Sequence, residues 1–256
     1  MIETATLTLQ TLPGMPLVQP GDDLASLILD GLEAARLSLQ PGDVVVVTSK
    51  IVSKSEDRWL DLRTVVPSER AFELAAATGK VPSLVEAILR ESVEVSRYRQ
   101  GVLIVRHRLG FTSANAGIDH SNVGRGSDDW VLLLPEDPDA SAQRLHTALF
   151  ERTGVRVGIV ISDTHGRPFR VGNVGVAIGV AGIPAVLDCR GRPDLFGREL
   201  RATIVAVADA IAAAAGLITG EADEGRPVVL ARGLRLTGPA GCAADLIRPP
   251  EHDLYR

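Results

Sequence analysis

Polar and apolar residues alternate over 4–11, the period of a half-buried strand, until Leu12-Pro13-Gly14-Met15-Pro16 breaks the pattern. Gly21-Asp22-Asp23 then caps a helix expected over 24–38, with Leu24, Leu27, Ile28, Gly31 and Leu32 on one face. Pro41-Gly42-Asp43 turns into Val44-Val45-Val46-Val47, an all-apolar run of the kind covered on both faces. The pattern predicts helices over 68–79 and 83–93, with Ser68 and Ser83 as N-caps. Strands are expected over 102–106 and 130–134, with a long polar loop between them, and an amphipathic helix over 139–152. A central strand over 155–162 precedes a glycine-rich strand over 172–182, whose glycines admit close backbone approach. A helix over 199–218 and a strand over 227–231 complete the regular elements. Strands and helices mix without strict alternation, which predicts an α+β fold with a mixed-sheet body rather than a doubly wound sheet. The expected organisation is one domain over 1–256, with a helical subdomain inserted at about 55–100.

Composition narrows the partners. A hydrophobic share of 45% with 23% charge is ordinary for a globular protein, and 4% aromatics leave the core to Val, Leu, Ile and Ala. A net charge of -5 argues against a general nucleic-acid or membrane-surface binder, since both need a cationic face. Cys189 and Cys242 are too few for a disulfide framework and suit a reducing cytoplasm. The start of the chain lacks a basic, then apolar, leader. The longest apolar stretch, 202–218, carries Asp209 and barely reaches spanning length, so it reads as a buried helix. Lysine is scarce: only Lys50, Lys54 and Lys80 stand among 27 basic residues, and two of them fall in Ser49-Lys50-Ile51-Val52-Ser53-Lys54. A lysine pair at a strand end suits phosphate as a compact charge, or is plain surface charge.

Three oxygen-rich turns carry the candidate chemistry. Asn115-Ala-Gly-Ile-Asp119-His-Ser-Asn122 packs amides, a carboxylate, an imidazole and a hydroxyl into eight residues. The 155–162 strand runs into Asp163-Thr164-His165-Gly166, and Gly220-Glu221-Ala222-Asp223-Glu224-Gly225 closes the 199–218 helix. Walker A, GxGxxG, HExxH and GxSxG motifs are missing, and the histidines are scattered, which disfavours zinc. Carboxylate and hydroxyl oxygens suit Mg²⁺ or Mn²⁺, which take one or two protein carboxylates and complete their shell with water and phosphate. Asp119 and Asp163 can supply such a pair, with Thr164 and Glu221 on a second ion. Alone, Asp163 also fits an Asx-turn or a helix N-cap after the strand, and Asp119 a loop-stabilising hydrogen bond. Arg167 and Arg170 follow Asp163 closely enough to serve phosphate or carboxylate, or simply to be solvated.

Leu12-Pro-Gly, Pro20-Gly-Asp-Asp-Leu24, Val47-Thr-Ser-Lys-Ile-Val-Ser-Lys-Ser-Glu56, Asn115-Ala-Gly-Ile-Asp-His-Ser-Asn-Val123, Ile161-Ser-Asp-Thr-His-Gly-Arg-Pro-Phe-Arg170 and Gly220-Glu-Ala-Asp-Glu-Gly225 occur in this order. Together they resemble the coenzyme F-420:L-glutamate ligase family, over residues from about 7 to about 248 and most weakly at 57–100. The resemblance implies an unusual α+β ligase fold in an intertwined homodimer. It also implies a cytoplasmic, GTP-dependent enzyme that uses two Mg²⁺ or Mn²⁺ ions and K⁺ to add L-glutamate to the lactyl-phosphate side chain of a deazaflavin precursor. Carried over residue by residue, it places Asp119 and Asp163 on one divalent ion and Thr164 and Glu221 on the other. Some relatives have Gln or Lys in place of Glu221. The nucleotide falls to Leu12, Pro13, Gly14, Met15, Ser49, Lys50, Lys54, Asn122 and the turn Thr219, Gly220, Glu221, Ala222, Asp223, Glu224, Gly225 and Arg226. No catalytic base is assigned. Some actinobacterial relatives add a flavin-type domain, which a chain ending at Arg256 is expected to lack. The residues alone also fit a metal-dependent phosphohydrolase or a GTP-binding protein without turnover.

Overall fold

The structure is a computed structural model that describes residues 4–253. Residues 1–3 and 254–256, the two ends of the expected domain, lie outside the described residues. Strand β1 is shorter than the alternation predicts, Thr8–Thr11. Helix α1 spans Leu24–Ala34, capped by Asp23, whose carboxylate accepts from the Ala25 and Ser26 backbone. It stops before the expected residue 38 because Arg36 takes a positive φ of 55°. Strand β2, Val44–Thr48, leads straight into an unexpected short helix, α2, Ser49–Ser55.

An inserted unit follows. Strand β3 (Trp59–Asp61), helix α3 (Glu69–Thr78), helix α4 (Pro82–Arg90), strands β4 (Ser92–Arg99), β5 (Val102–His107), β6 (Thr112–Ala114) and β7 (Trp130–Leu132) have a core of their own. Leu74, Val85, Ile88, Leu103, Val105 and Val131 fill it. The stretch over 55–100 read as helical therefore also contributes strands β3 and β4. Ser68 caps α3 as expected, accepting from Ala71 N. Ser83 is not a cap: α4 starts one residue earlier, on Pro82, whose missing N–H costs nothing in a first turn. Residues 92 and 93 leave that helix for β4, which pairs with β5.

Helix α5 covers Pro138–Thr153, between an Asp137 cap and a left-handed Gly154. Strand β8, Gly158–Arg167, starts later and runs further than expected, and β9 covers Arg170–Ala181. Strand β10 (Val186–Asp188) pairs with β11 (Ile204–Ala206), so helix α6 begins only at Val207 and ends at Thr219, not at 199. Strand β12 is Val228–Arg232.

The main sheet runs β1-β12-β2-β8-β9, with β2 and β8 parallel and its other pairs antiparallel. Its valine quartet reads as continuous apolar sequence because both faces are covered. Val45 and Val47 join the core under α1 and α5, while Val44 and Val46 join the core under α6. The glycines of β9 admit these helices: a Cβ on Gly175 would lie 2.5 Å from Ala212 O of α6, and one on Gly179 2.4 Å from Pro138 O of α5. Among the described residues no helix is long and apolar enough to cross a membrane.

Candidate functional site

The parallel pairing of β2 with β8 builds the site. It sets Thr48 opposite Ser162, so β2 ends where β8 runs on beyond it, still paired with β9. One continues into α2 with Ser49, Lys50 and Lys54; the other continues as Asp163, Thr164 and His165. Ser49 Oγ donates to Asp163 Oδ1 at 3.0 Å, across 114 residues of sequence. The ends of β12 and β1 lie alongside, since Thr48 N donates to Pro227 O and Leu12 N to Val228 O. Alternation along β8 turns Thr164 the other way from Asp163. Thr164 Oγ1 meets Glu221 Oε1 at 3.1 Å, in the turn after α6.

The loop after β6 completes the arrangement. Asp119 exchanges both backbone hydrogen bonds with Leu132 at 3.0 Å, which fixes the acid against the end of β7. Lys50 Nζ lies 3.4 Å from Asp119 Oδ2 and donates to Ser121 O at 3.2 Å. Lys54 Nζ donates to Asn122 O at 2.7 Å, and Asn122 Nδ2 donates to Ala222 O at 2.9 Å. Asn115, Ala116 and Asn122 all take positive φ, a backbone cost concentrated where functional loops often carry it.

Electrostatics agree with the geometry. Burial, reinforced by the Asp163 and Glu221 carboxylates and opposed by Lys50, pushes the Asp119 carboxyl up to about 6. Burial and the like charge of Lys50 hold the Lys54 ammonium below its ordinary value, against the pull of Asp119. The third lysine bears on the same loop, since burial and then Lys80 hold the His120 imidazole down. Among the described residues no three His, Cys, Asp or Glu side chains gather into a metal-holding cluster. Two acids, a threonine hydroxyl and a glutamate nevertheless fit ions that draw most of their shell from water and phosphate. A bound divalent cation would offset both the burial and the neighbouring carboxylates that raise Asp119.

The remaining expected residues divide. Leu12 is buried, its side chain against Gly31, and the Pro13–Gly14–Met15 turn follows it. Thr219 Oγ1 donates to Ala215 O within its own helix, and Glu224 Oε2 accepts from Ala222 N, which holds its carboxyl below the ordinary value. Asp223, Gly225 and Arg226 are exposed, and so are Arg167 and Arg170, near the tip of the β8–β9 hairpin. Two partnerships were not legible beforehand: His165 Nε2 at 3.0 Å from Asp163 Oδ2, and Arg125 between the rings of Trp59 and Trp130. The signal for the second was that a chain with 4% aromatics places its two tryptophans on either side of the polar loop.

The family model described as F420-0:Gamma-glutamyl ligase matches residues 14–233. A coenzyme F420:L-glutamate ligase of Methanothermobacter thermautotrophicus is 48% identical over 246 residues, covering 95% of this chain and 96% of that one. The protein of the same name from Methanopyrus kandleri is 46% identical over 256 residues, covering 98% of each. That of Archaeoglobus fulgidus is 47% identical over 243 residues, covering 95% of this chain and 94% of its own.

Proposed function

The chain belongs to the F420-0:gamma-glutamyl ligase family, and from that premise we propose that it joins L-glutamate to the lactyl-phosphate side chain of the deazaflavin precursor, with GTP as phosphoryl donor, and then extends a γ-linked tail. The observation that carries the reading is the convergence of Ser49–Asp163, Lys50–Asp119 and Thr164–Glu221 contacts at one end of the sheet. A carboxylate is a poor acyl donor, so it must first be activated. Its oxygen attacks the γ-phosphorus, GDP leaves, and an acyl phosphate forms. The glutamate amine then attacks the acyl carbon and expels inorganic phosphate.

Phosphoryl transfer asks mainly for positioning and charge stabilisation. Lys50 and Lys54, one helical turn apart, would offer two ammonium groups to the phosphates; Asn122, the 219–226 turn and residues 12–15 would contact the nucleotide. Asp119 and Asp163 would hold one Mg²⁺ or Mn²⁺ ion, and Thr164 and Glu221 a second. Such ions neutralise the triphosphate and the charge that develops on its oxygens. The K⁺ ion of this reading has no assigned residue. A homodimer is supported by two protruding hairpins whose tips expose Phe169 and Val171, and Leu195 and Phe196.

The acceptor decides between this reaction and simple hydrolysis. A site built to phosphorylate a bound carboxylate keeps water from the γ-phosphate and from the acyl phosphate. GTP cleavage should be slow with Mn²⁺ alone and rise sharply when deazaflavin precursor and glutamate are both present. Mass spectrometry should then find one new glutamyl amide per GDP. Fast cleavage that ignores the precursor would make the protein a phosphohydrolase, and binding without cleavage would make it a nucleotide-binding protein.

A further inference from the structure

We propose that His165 is a positioning residue that aims Asp163 at its divalent ion. Asp163 and His165 stand two residues apart on β8, so their side chains share one face of the strand. His165 Nε2 lies 3.0 Å from Asp163 Oδ2, and Ser49 Oγ donates to Asp163 Oδ1 at 3.0 Å. An ionised carboxylate only accepts, so the imidazole presents Nε2–H to it, and each oxygen keeps a further lone pair for a cation. Rotation of the carboxylate would break one bond or the other. Gly117 closes the remaining side, since a Cβ there would lie 3.3 Å from Oδ2 and 2.8 Å from Leu134 Cδ1.

The imidazole is itself held. His165 is 8% exposed, and the Phe111 ring packs against it with centroids 4.7 Å apart. Phe111 stacks in turn on His107, at 5.0 Å and 11° between planes. His107 is fully buried and accepts from Leu109 N at 3.0 Å. This column of rings runs from the inserted unit to β8, so the unit's packing reaches the ion ligand through one hydrogen bond. Partners of this kind orient ligating carboxylates, and their loss typically weakens metal binding by about 10–100-fold.

The inference rests on Asp163 being an ion ligand, and the test separates the two. Mn²⁺ affinity of the full chain is measured by electron paramagnetic resonance without nucleotide, for the native protein, Asp163→Asn, His165→Gln and His165→Asn. The glutamine amide reaches about where Nε2 stands, while the asparagine amide stops short of it. His165→Asn should bind Mn²⁺ roughly tenfold more weakly, the lower end of that range. His165→Gln should recover most of the loss, and kcat should track ion occupancy with KM for glutamate unchanged. Equal affinity of both variants with the native protein, or equal loss in both, would overturn the role of His165. If Asp163→Asn itself binds Mn²⁺ normally, the ligand assignment fails instead.

Discussion

Lys50 Nζ sits 3.4 Å from Asp119 Oδ2, so the ammonium expected to meet phosphate already answers the carboxylate expected to meet a metal ion. The pair is 27% and 33% exposed and adds at most about 1 kcal/mol to stability. Its importance is competitive: ammonium and ion seek the same oxygen. Lys50→Met should therefore leave Mn²⁺ affinity without nucleotide unchanged or higher. GTP affinity, measured by calorimetry, should fall about tenfold, the scale of one lost charge-assisted hydrogen bond. A parallel loss of both affinities would mean that Lys50 only holds the loop.

Asp119 and Asp163 act within one electrostatic unit: burial raises the Asp119 carboxyl most, and the charge of Asp163 adds to the rise. Asp163→Asn should keep the circular dichroism of the native protein and lose at least about a hundredfold in turnover, the scale of one removed charge-stabilising group. Asp119→Asn should match it. The double variant should be little worse than either, because two ligands of one ion do not fail independently. Multiplicative losses would assign the two acids to separate tasks.

The acids were legible because each stands in a polar cluster just past an apolar strand segment, although each alone also fitted a structural hydrogen bond. Their meeting was not. Ser49 and Asp163 touch through the parallel register of β2 and β8, a pairing between distant segments that neither segment encodes alone. Helix α2 is too short to show a period, and β4 exposes most of both faces, so it lacks the continuous apolar run that marked β5. The start of α6 was misplaced for the opposite reason. Apolar sequence continues upstream of Val207, but Ile204–Ala206 spends it on pairing with β10. The oxygen-rich turns themselves offered Asp119, Asp163, Thr164 and Glu221 as ion ligands, whereas the nucleotide roles of residues 12–15 and 219–226 came from the family resemblance rather than from any pattern.

Arg125 lies 4.6 Å from the Trp59 ring centre and 4.8 Å from that of Trp130, with Asp57 Oδ1 3.5 Å from its guanidinium. Trp59 Nε1 donates to Val123 O in the same loop. Two partly exposed cation–π contacts are worth roughly 1–2 kcal/mol together. Arg125→Ala should lower urea stability by about that much. It should also change tryptophan emission, since both tryptophans of the chain flank the arginine. GTP affinity should weaken too, because the loop presents Asn122. Unchanged emission and unchanged stability would show that the sandwich contributes nothing.

Asp209 gives the pH test its sign. It stands on α6, half-buried, with Oδ1 accepting from Ala177 N at 2.9 Å. Burial pushes its carboxyl above the ordinary 3.8, against that backbone bond and the opposing charge of His165. The folded protein therefore holds this proton more tightly than the unfolded chain. The stability contributed is full below pH 3.8 and lost as pH rises through the folded value. Asp209→Asn keeps an oxygen for Ala177 N and never ionises. Its Tm should exceed that of the native protein at pH 7, and the gap should close as pH falls towards 4. Calorimetric scans of both proteins from pH 4 to 8 decide the matter. A gap that stays constant, or widens on acidification, would mean that the carboxylate is favourably paired in the folded state and that burial does not dominate at α6.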